Sequence, residues 1–150
     1  MKKTFFLFVI LIECNLYFSC EKFPALAGSN GYAENYNMHT SKEKLINAIK
    51  VFKEENPNMI PPETNRNWSD YYSSPFYCVH FYYIDKDLVL VADVNGSTLQ
   101  FISVCSSTEV EGEKLCRGVN DDITGKENKA VKKEFENRIV KPLKEILDRK

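Results

Sequence analysis

Cys78 and His80 stand two residues apart in Phe76–Ile84, a run dense in aromatic and β-branched residues. On an extended strand that spacing puts a thiol and an imidazole on one face. Such a pair is the beginning of a zinc site or of a cysteine nucleophile with its base. Zinc needs about four ligands, and no second paired motif accompanies this one. A nucleophile needs a third orienting group and an oxyanion hole, and no glycine-rich turn follows Cys78. The expectation is therefore a thiol and a satisfied imidazole within a sheet, with no metal, no cofactor and no catalytic set.

Cys105 and Cys116 invite a different chemistry. Their midpoint falls at Val110-Glu111, beside a turn signal at Glu111-Gly112. Two strands folded at that turn bring the two thiols opposite each other, within disulfide reach, with Cα atoms about 4.4–6.8 Å apart. Cys78 should lie at the other end of the sheet and stay unpaired. A third chemistry is recognition by rings. Trp68, Tyr71 and Tyr72 precede the Phe76 strand in a polar stretch, where they could contact a ligand, stacking on a sugar or anchoring a protein. Asp85 and Asp87 flank a turn, and Asp121-Asp122 lead into a helix, so neither pair has the setting of a general acid and base. No phosphate-binding glycine loop or Ser-His-Asp set is present.

The elements that must position these residues follow from period and punctuation. Thr40-Ser41-Lys42-Glu43 has capping-box spacing, with Thr40 at the N-cap. Leu45, Ile46, Ile49 and Phe52 then form one helical stripe, which Asn56-Pro57 ends. Residues 57–74 hold three prolines and no clean period, and are expected to be an ordered loop. Phe76–Ile84, Leu88–Val94, Ser97–Cys105 and Lys114–Val119 are expected strands, with turns at Asp85-Lys86, Asn95-Gly96 and Glu111-Gly112. A two-residue turn at Asn95-Gly96 sets Val94 opposite Ser97, Ala92 opposite Leu99 and Leu90 opposite Phe101. A turn at Asp85-Lys86 sets Phe81 opposite Leu90 and Val79 opposite Ala92. Both registers place Val79, Phe81, Leu88, Leu90, Ala92, Leu99 and Phe101 on one face. Lys126–Arg149 is a long helix with its stripe at Val131, Phe135, Ile139, Leu143 and Ile146. Pro142 should interrupt it near Arg138–Val140. The predicted fold is α+β, a four-stranded antiparallel meander with two helices packed on one face. Its core is Phe81, Leu90, Leu99 and Phe101 against Leu45, Ile49, Phe52, Val131, Phe135 and Ile139.

The N-terminus carries an address. Lys2 and Lys3 precede the apolar run Thr4–Ile12, and Ser19 stands directly before Cys20. Positive, then apolar, then small is the layout of an export signal. With Cys20 at its end, the segment resembles the signal and lipobox of small bacterial envelope lipoproteins. The resemblance covers only the first twenty-odd residues. It implies cleavage after residue 19, lipidation of Cys20 and tethering to an envelope membrane. A second layout is cleavage after Ala27, at Ala25-Leu26-Ala27, which would leave a secreted or soluble periplasmic protein. An uncleaved anchor fits least, because the apolar run is short of the ~20 residues a span needs and the charged Glu13 ends it. The organisation expected is a signal peptide over 1–19, a flexible tether over 20–39, rich in Gly, Asn, Ser and Ala, and one α+β domain over 40–150.

Composition bounds the function. Removing Lys2, Lys3 and Glu13 from 20 basic and 21 acidic residues leaves 18 against 20, a net charge of −2. No basic block is present, so nucleic acid is not an expected partner. A near-neutral, aromatic-rich, tethered domain without a catalytic constellation fits a non-enzymatic binding protein. The partner expected is another protein, an immunity or inhibitor role being one version. A glycan-binding module using Trp68, Tyr71 and Tyr72 is the alternative.

Overall fold

The computed structural model describes residues 31–63, 68–108 and 115–149. Cys20, the signal segment and the first part of the expected tether lie outside the described residues. In chain order the elements are β1 (Glu34–Asn37), α1 (Lys42–Glu55), a 3₁₀ turn (Pro57–Met59), β2 (Tyr71–Ser73), β3 (Phe76–Tyr83), β4 (Leu88–Asn95), β5 (Thr98–Ser106), β6 (Cys116–Gly118), α2 (Gly125–Phe135), a π segment (Glu136–Val140) and α3 (Lys141–Asp148). The fold is α+β with an antiparallel sheet and helices on one face.

The sheet has six strands, not the four expected. Its order is β1-β5-β4-β3-β2, with β6 also paired to β5. The meander β3-β4-β5-β6 is its centre, and β1 and β2 are the additions. β1 falls within the expected tether over 20–39, so folded structure starts before Thr40. Four polar-rich residues give little strand signal. The strand exists because tertiary contacts hold it. The Tyr36 ring lies 5.6 Å from that of Phe135. Glu34 pairs with Lys132 at 2.9 Å and accepts from the Asn120 amide at 3.2 Å. β1 and β6 share one edge of β5, along Thr98–Phe101 and Ser103–Cys105 respectively. β2 is the opposite edge.

The β3–β4 register follows the turn at Asp85-Lys86, with Phe81 opposite Leu90 and Val79 opposite Ala92. The β4–β5 hairpin departs from expectation. Asn95 pairs with Thr98, so the two turn residues are Gly96-Ser97. Gly96, with φ +57, occupies the first central position, where a glycine is wanted when only that position has positive φ. Val94 therefore faces Leu99, not Ser97, and Ala92 faces Phe101, not Leu99. Leu90 faces Val104, because Ile102 is an extra residue bulged out of β5. The bulge leaves the Ile102 carbonyl to accept from Val119 N–H at 2.8 Å. Up to the bulge the partners slip by two residues. A slip of two keeps every side chain on its face, so the apolar face survives the corrected register.

That face is covered by helices. Leu45, Ile46, Ala48, Ile49 and Phe52 of α1 are buried against Val79, Phe81, Leu90, Ala92, Leu99 and Phe101, with Phe135, Ile139 and Leu143 from the C-terminal helices. Val131 is only partly buried at the rim. Ser41, not Thr40, is the N-cap of α1, and its hydroxyl accepts from Lys44 N–H at 3.3 Å. Pro142 interrupts the last helix as expected. It has no N–H for the Arg138 carbonyl, and the turn before it widens to π, with Lys141 N–H donating to Glu136 O.

Candidate functional site

β3 carries Cys78 and His80 on the sheet face away from the helices, since Val79 and Phe81 point into the core. Both are buried. Directly across from Cys78, on β4, stands Asp93. Beyond β3, the segment before β2 brings Trp68, Asp70 and Tyr71 over the same region. The rings of Trp68 and Tyr71 lie 5.4 and 6.2 Å from that of His80, edge-on and stacked respectively. From the helical side, Lys53 of α1 reaches round the sheet edge. Its ammonium meets both Asp70 carboxylate oxygens, at 2.8 and 2.7 Å, above the Phe81 ring. Asp70 Oδ1 also accepts from the His80 backbone N–H at 3.0 Å. Asp70 thus joins α1, β3 and the β2 edge at one point.

Burial makes the cluster electrically quiet. Desolvation pushes the Cys78 thiol up to about 12, and the nearby Asp93 carboxylate pushes the same way. Desolvation raises Asp93 and lowers His80. The neighbouring Cys78, with burial, lifts the Tyr71 phenol to about 12. The Lys53 ammonium is lowered by burial, with Asp70 opposing. Thiol, imidazole and phenol are all driven toward their neutral forms.

Cys78 Sγ lies 3.8 Å from His80 Nε2, and His80 Nδ1 lies 3.9 Å from Asp70 Oδ1. The order thiol–imidazole–carboxylate is that of a cysteine-nucleophile triad. The electrostatics are not, because a nucleophile must spend time as thiolate and its pKa must be pulled down. Here it is pushed up to about 12 from the ordinary 9.0, and the residue is buried. Comparison with family models, with curated proteins and with solved structures finds no match for this chain. The reading of the site therefore rests on its geometry. Among the described residues no group of three or more His, Cys, Asp or Glu side chains is arranged to hold a metal ion. The imidazole is satisfied in part: Nε2 meets the Cys78 sulfur. Nδ1 finds no well-aligned acceptor, its polar neighbours being the Asp70 carboxylate and the Ser69 backbone.

The three candidate ligand-contact rings separate. Trp68 is half-buried against His80, so its ring is committed to the fold. Tyr71 and Tyr72 lie in β2, not in a loop, and their exposures are 53% and 70%. As consecutive strand residues they point to opposite faces. Tyr72 leans on Tyr77, centroids 4.8 Å apart, with the Lys42 ammonium 5.8 Å above its ring. The three rings form no common platform. Cys105 and Cys116 are joined by a disulfide, with Cα atoms 4.0 Å apart. That is closer than the expected range, because they sit directly opposite in the β5–β6 register. Cys78 is unpaired and buried.

Sequence reasoning missed Lys53, Asp70 and Asp93. The expected β3–β4 register already set Asp93 opposite Cys78, so its presence was legible. Asp70 lies in a stretch with no period, and nothing local points to it.

Proposed function

We propose that this chain is an envelope-anchored lipoprotein whose small domain binds a protein partner and has no catalytic role, an immunity or inhibitor function being the concrete version. The observation that carries the reading is the β2 edge. Among the described residues no further strand pairs with it, its three residues are exposed, and it presents Tyr71 and Tyr72 to opposite sides. Tyrosine supplies large amphipathic contact area at little entropic cost, which is why it is enriched at interfaces. The other edge is taken by β1 and β6. The Cys20 anchor is the expectation drawn from the export signal. The high thiol pKa of Cys78 supports a non-enzymatic role. The glycan alternative has less support, since Trp68 is committed and Tyr71 and Tyr72 face apart.

The test uses two variants of the full chain in its own host. Tyr72→Ala should abolish co-purification of the partner from the envelope fraction, and Lys144→Ala, on the solvent side of α3, should not. Equal co-purification from both would refute the β2 assignment.

A further inference from the structure

We propose that His80 is an acid-sensitive latch: neutral, it lets Trp68 and Tyr71 dock on the sheet, and on taking a proton it releases the Trp68–Ser73 edge. The geometry carries this. The segment is held by two rings set against the imidazole, by the Asp70 carboxylate and by three β2–β3 pairs. Apart from the Lys53–Asp70 ion pair and the pairs that Tyr72 and Ser73 make with Tyr77 and Phe76, these contacts converge on His80 or its strand neighbour Cys78. The His80 side chain is 6% exposed. A buried cation needs a partner, and among the described residues none is free. The Asp70 carboxylate is already matched to the Lys53 ammonium through both oxygens and stands 3.9 Å from Nδ1.

Of the other groups facing His80, only the Ser69 backbone favours the charged form, and burial outweighs it. On its own strand, Nε2 meets the Cys78 sulfur, whose thiol is held neutral. From β2 comes the Tyr71 phenol, also neutral. From β4 the residue opposite is Val91, which is apolar, and Asp93 lies against Cys78. From α1, Lys53 adds a like charge. A proton on His80 therefore leaves a buried positive charge beneath the two rings that Asp70 and the Ser69 backbone offset only in part. The cheapest relief is to open the edge to water, because the helices and β3–β5 need not move. The folded imidazole is depressed below its ordinary value by burial. The closed state accordingly binds fewer protons than the open one. Closure is complete above the ordinary imidazole pKa and weakens as pH falls through it toward the depressed value. In that window the open-to-closed ratio rises by up to about tenfold per pH unit. The latch stands whether or not β2 is the partner edge.

Trp68 is the only tryptophan in the chain, and His39 is the only other histidine. Full-length chain in detergent would be taken from about pH 7.5 to about pH 4.5, the range in which an imidazole titrates. Acrylamide quenching of Trp68 reads accessibility, NMR of the His80 Cε1–H reads protonation, and far-UV circular dichroism reads the fold. Quenching should rise with the same midpoint as His80, with circular dichroism unchanged. His80→Gln should hold quenching flat, and His39→Gln should behave as the parent. A Trp68 that stays shielded while His80 titrates overturns the latch. So does equal opening in His80→Gln, or loss of circular dichroism together with quenching. If His80→Gln does not fold, hydrogen exchange at the Tyr71 amide of the parent chain, which faces Cys78 in the β2–β3 ladder, decides. Exchange must accelerate with the His80 midpoint, and exchange independent of it refutes the proposal.

Discussion

Truncating Phe101 to Ala tests the core where its layers meet. The side chain is 0% exposed. Its ring lies parallel to that of Phe135, with centroids 4.1 Å apart and planes at 4°. Phe135 in turn meets Phe81 edge-on at 6.1 Å, and Phe81 meets Phe52 edge-on at 5.9 Å. Four rings thus tie β5, α2, β3 and α1 together. Removing one buried ring of this size costs ~3–5 kcal/mol through lost transfer and the cavity left behind. The stack itself is worth ~0.5–1.5 kcal/mol beyond area burial, part of which the range for a buried Phe already contains. The expected total is ~4 kcal/mol. Urea unfolding followed by circular dichroism reads it. With a slope of about 2 kcal/mol per molar urea for a domain of this size, the midpoint should fall by about 2 M. Ile84→Ala, at an exposed turn position, is the control and should stay within about 0.5 kcal/mol. A midpoint shift below about 0.5 M for Phe101→Ala would mean that the site collapses freely or that the register is wrong.

The remaining predictions concern the thiols and the ion pair. Peptide mapping without reduction should recover Cys105 linked to Cys116, and replacing both by Ala should cost about 3 kcal/mol, from loop-closure entropy over a separation of 11 residues; a link from Cys78 to either would contradict the strand order. Iodoacetamide at mildly alkaline pH should leave Cys78 unmodified in the folded chain and label it after denaturation, because its thiol is buried and pushed up to about 12; rapid labelling of the native protein would refute the quiet-cluster reading. Asp70→Asn should destabilise by ~3 kcal/mol because it strands the Lys53 ammonium, whose side chain is 12% exposed. Lys53→Met should cost less, since it puts an apolar stem against Phe81, and the reverse ranking by urea midpoints would contradict this.

The meander was legible because its evidence was redundant. Alternation in Phe76–Ile84, Leu88–Val94 and Ser97–Cys105 selects one apolar face, and a face tolerates a slip of two residues. The turn residues themselves were not legible to the residue. Asn95-Gly96 and Gly96-Ser97 are both good two-residue turns, and the choice falls to how Leu99 and Phe101 pack beneath α1 and α2. β1 and β2 were missed for a shared reason. Glu34–Asn37 and Tyr71–Ser73 are too short to show a period; β1 is held by partners distant in sequence, Phe101 and Lys132, and β2 by a tight hairpin with β3 and, through Asp70, by Lys53. The site was half legible. Cys78 and His80 sharing a face follows from spacing alone. That Asp70 and Lys53 close over them follows only from the fold, since the residues between Pro57 and Trp68 set no register.

The binding edge is tested most directly by photo-crosslinking in the native envelope. A benzophenone amino acid placed at position 72 of the full chain should give a discrete protein adduct on irradiation, and the same residue at position 144 should give none. A discrete adduct at 144 with none at 72 would contradict the assignment of β2 as the partner-binding edge.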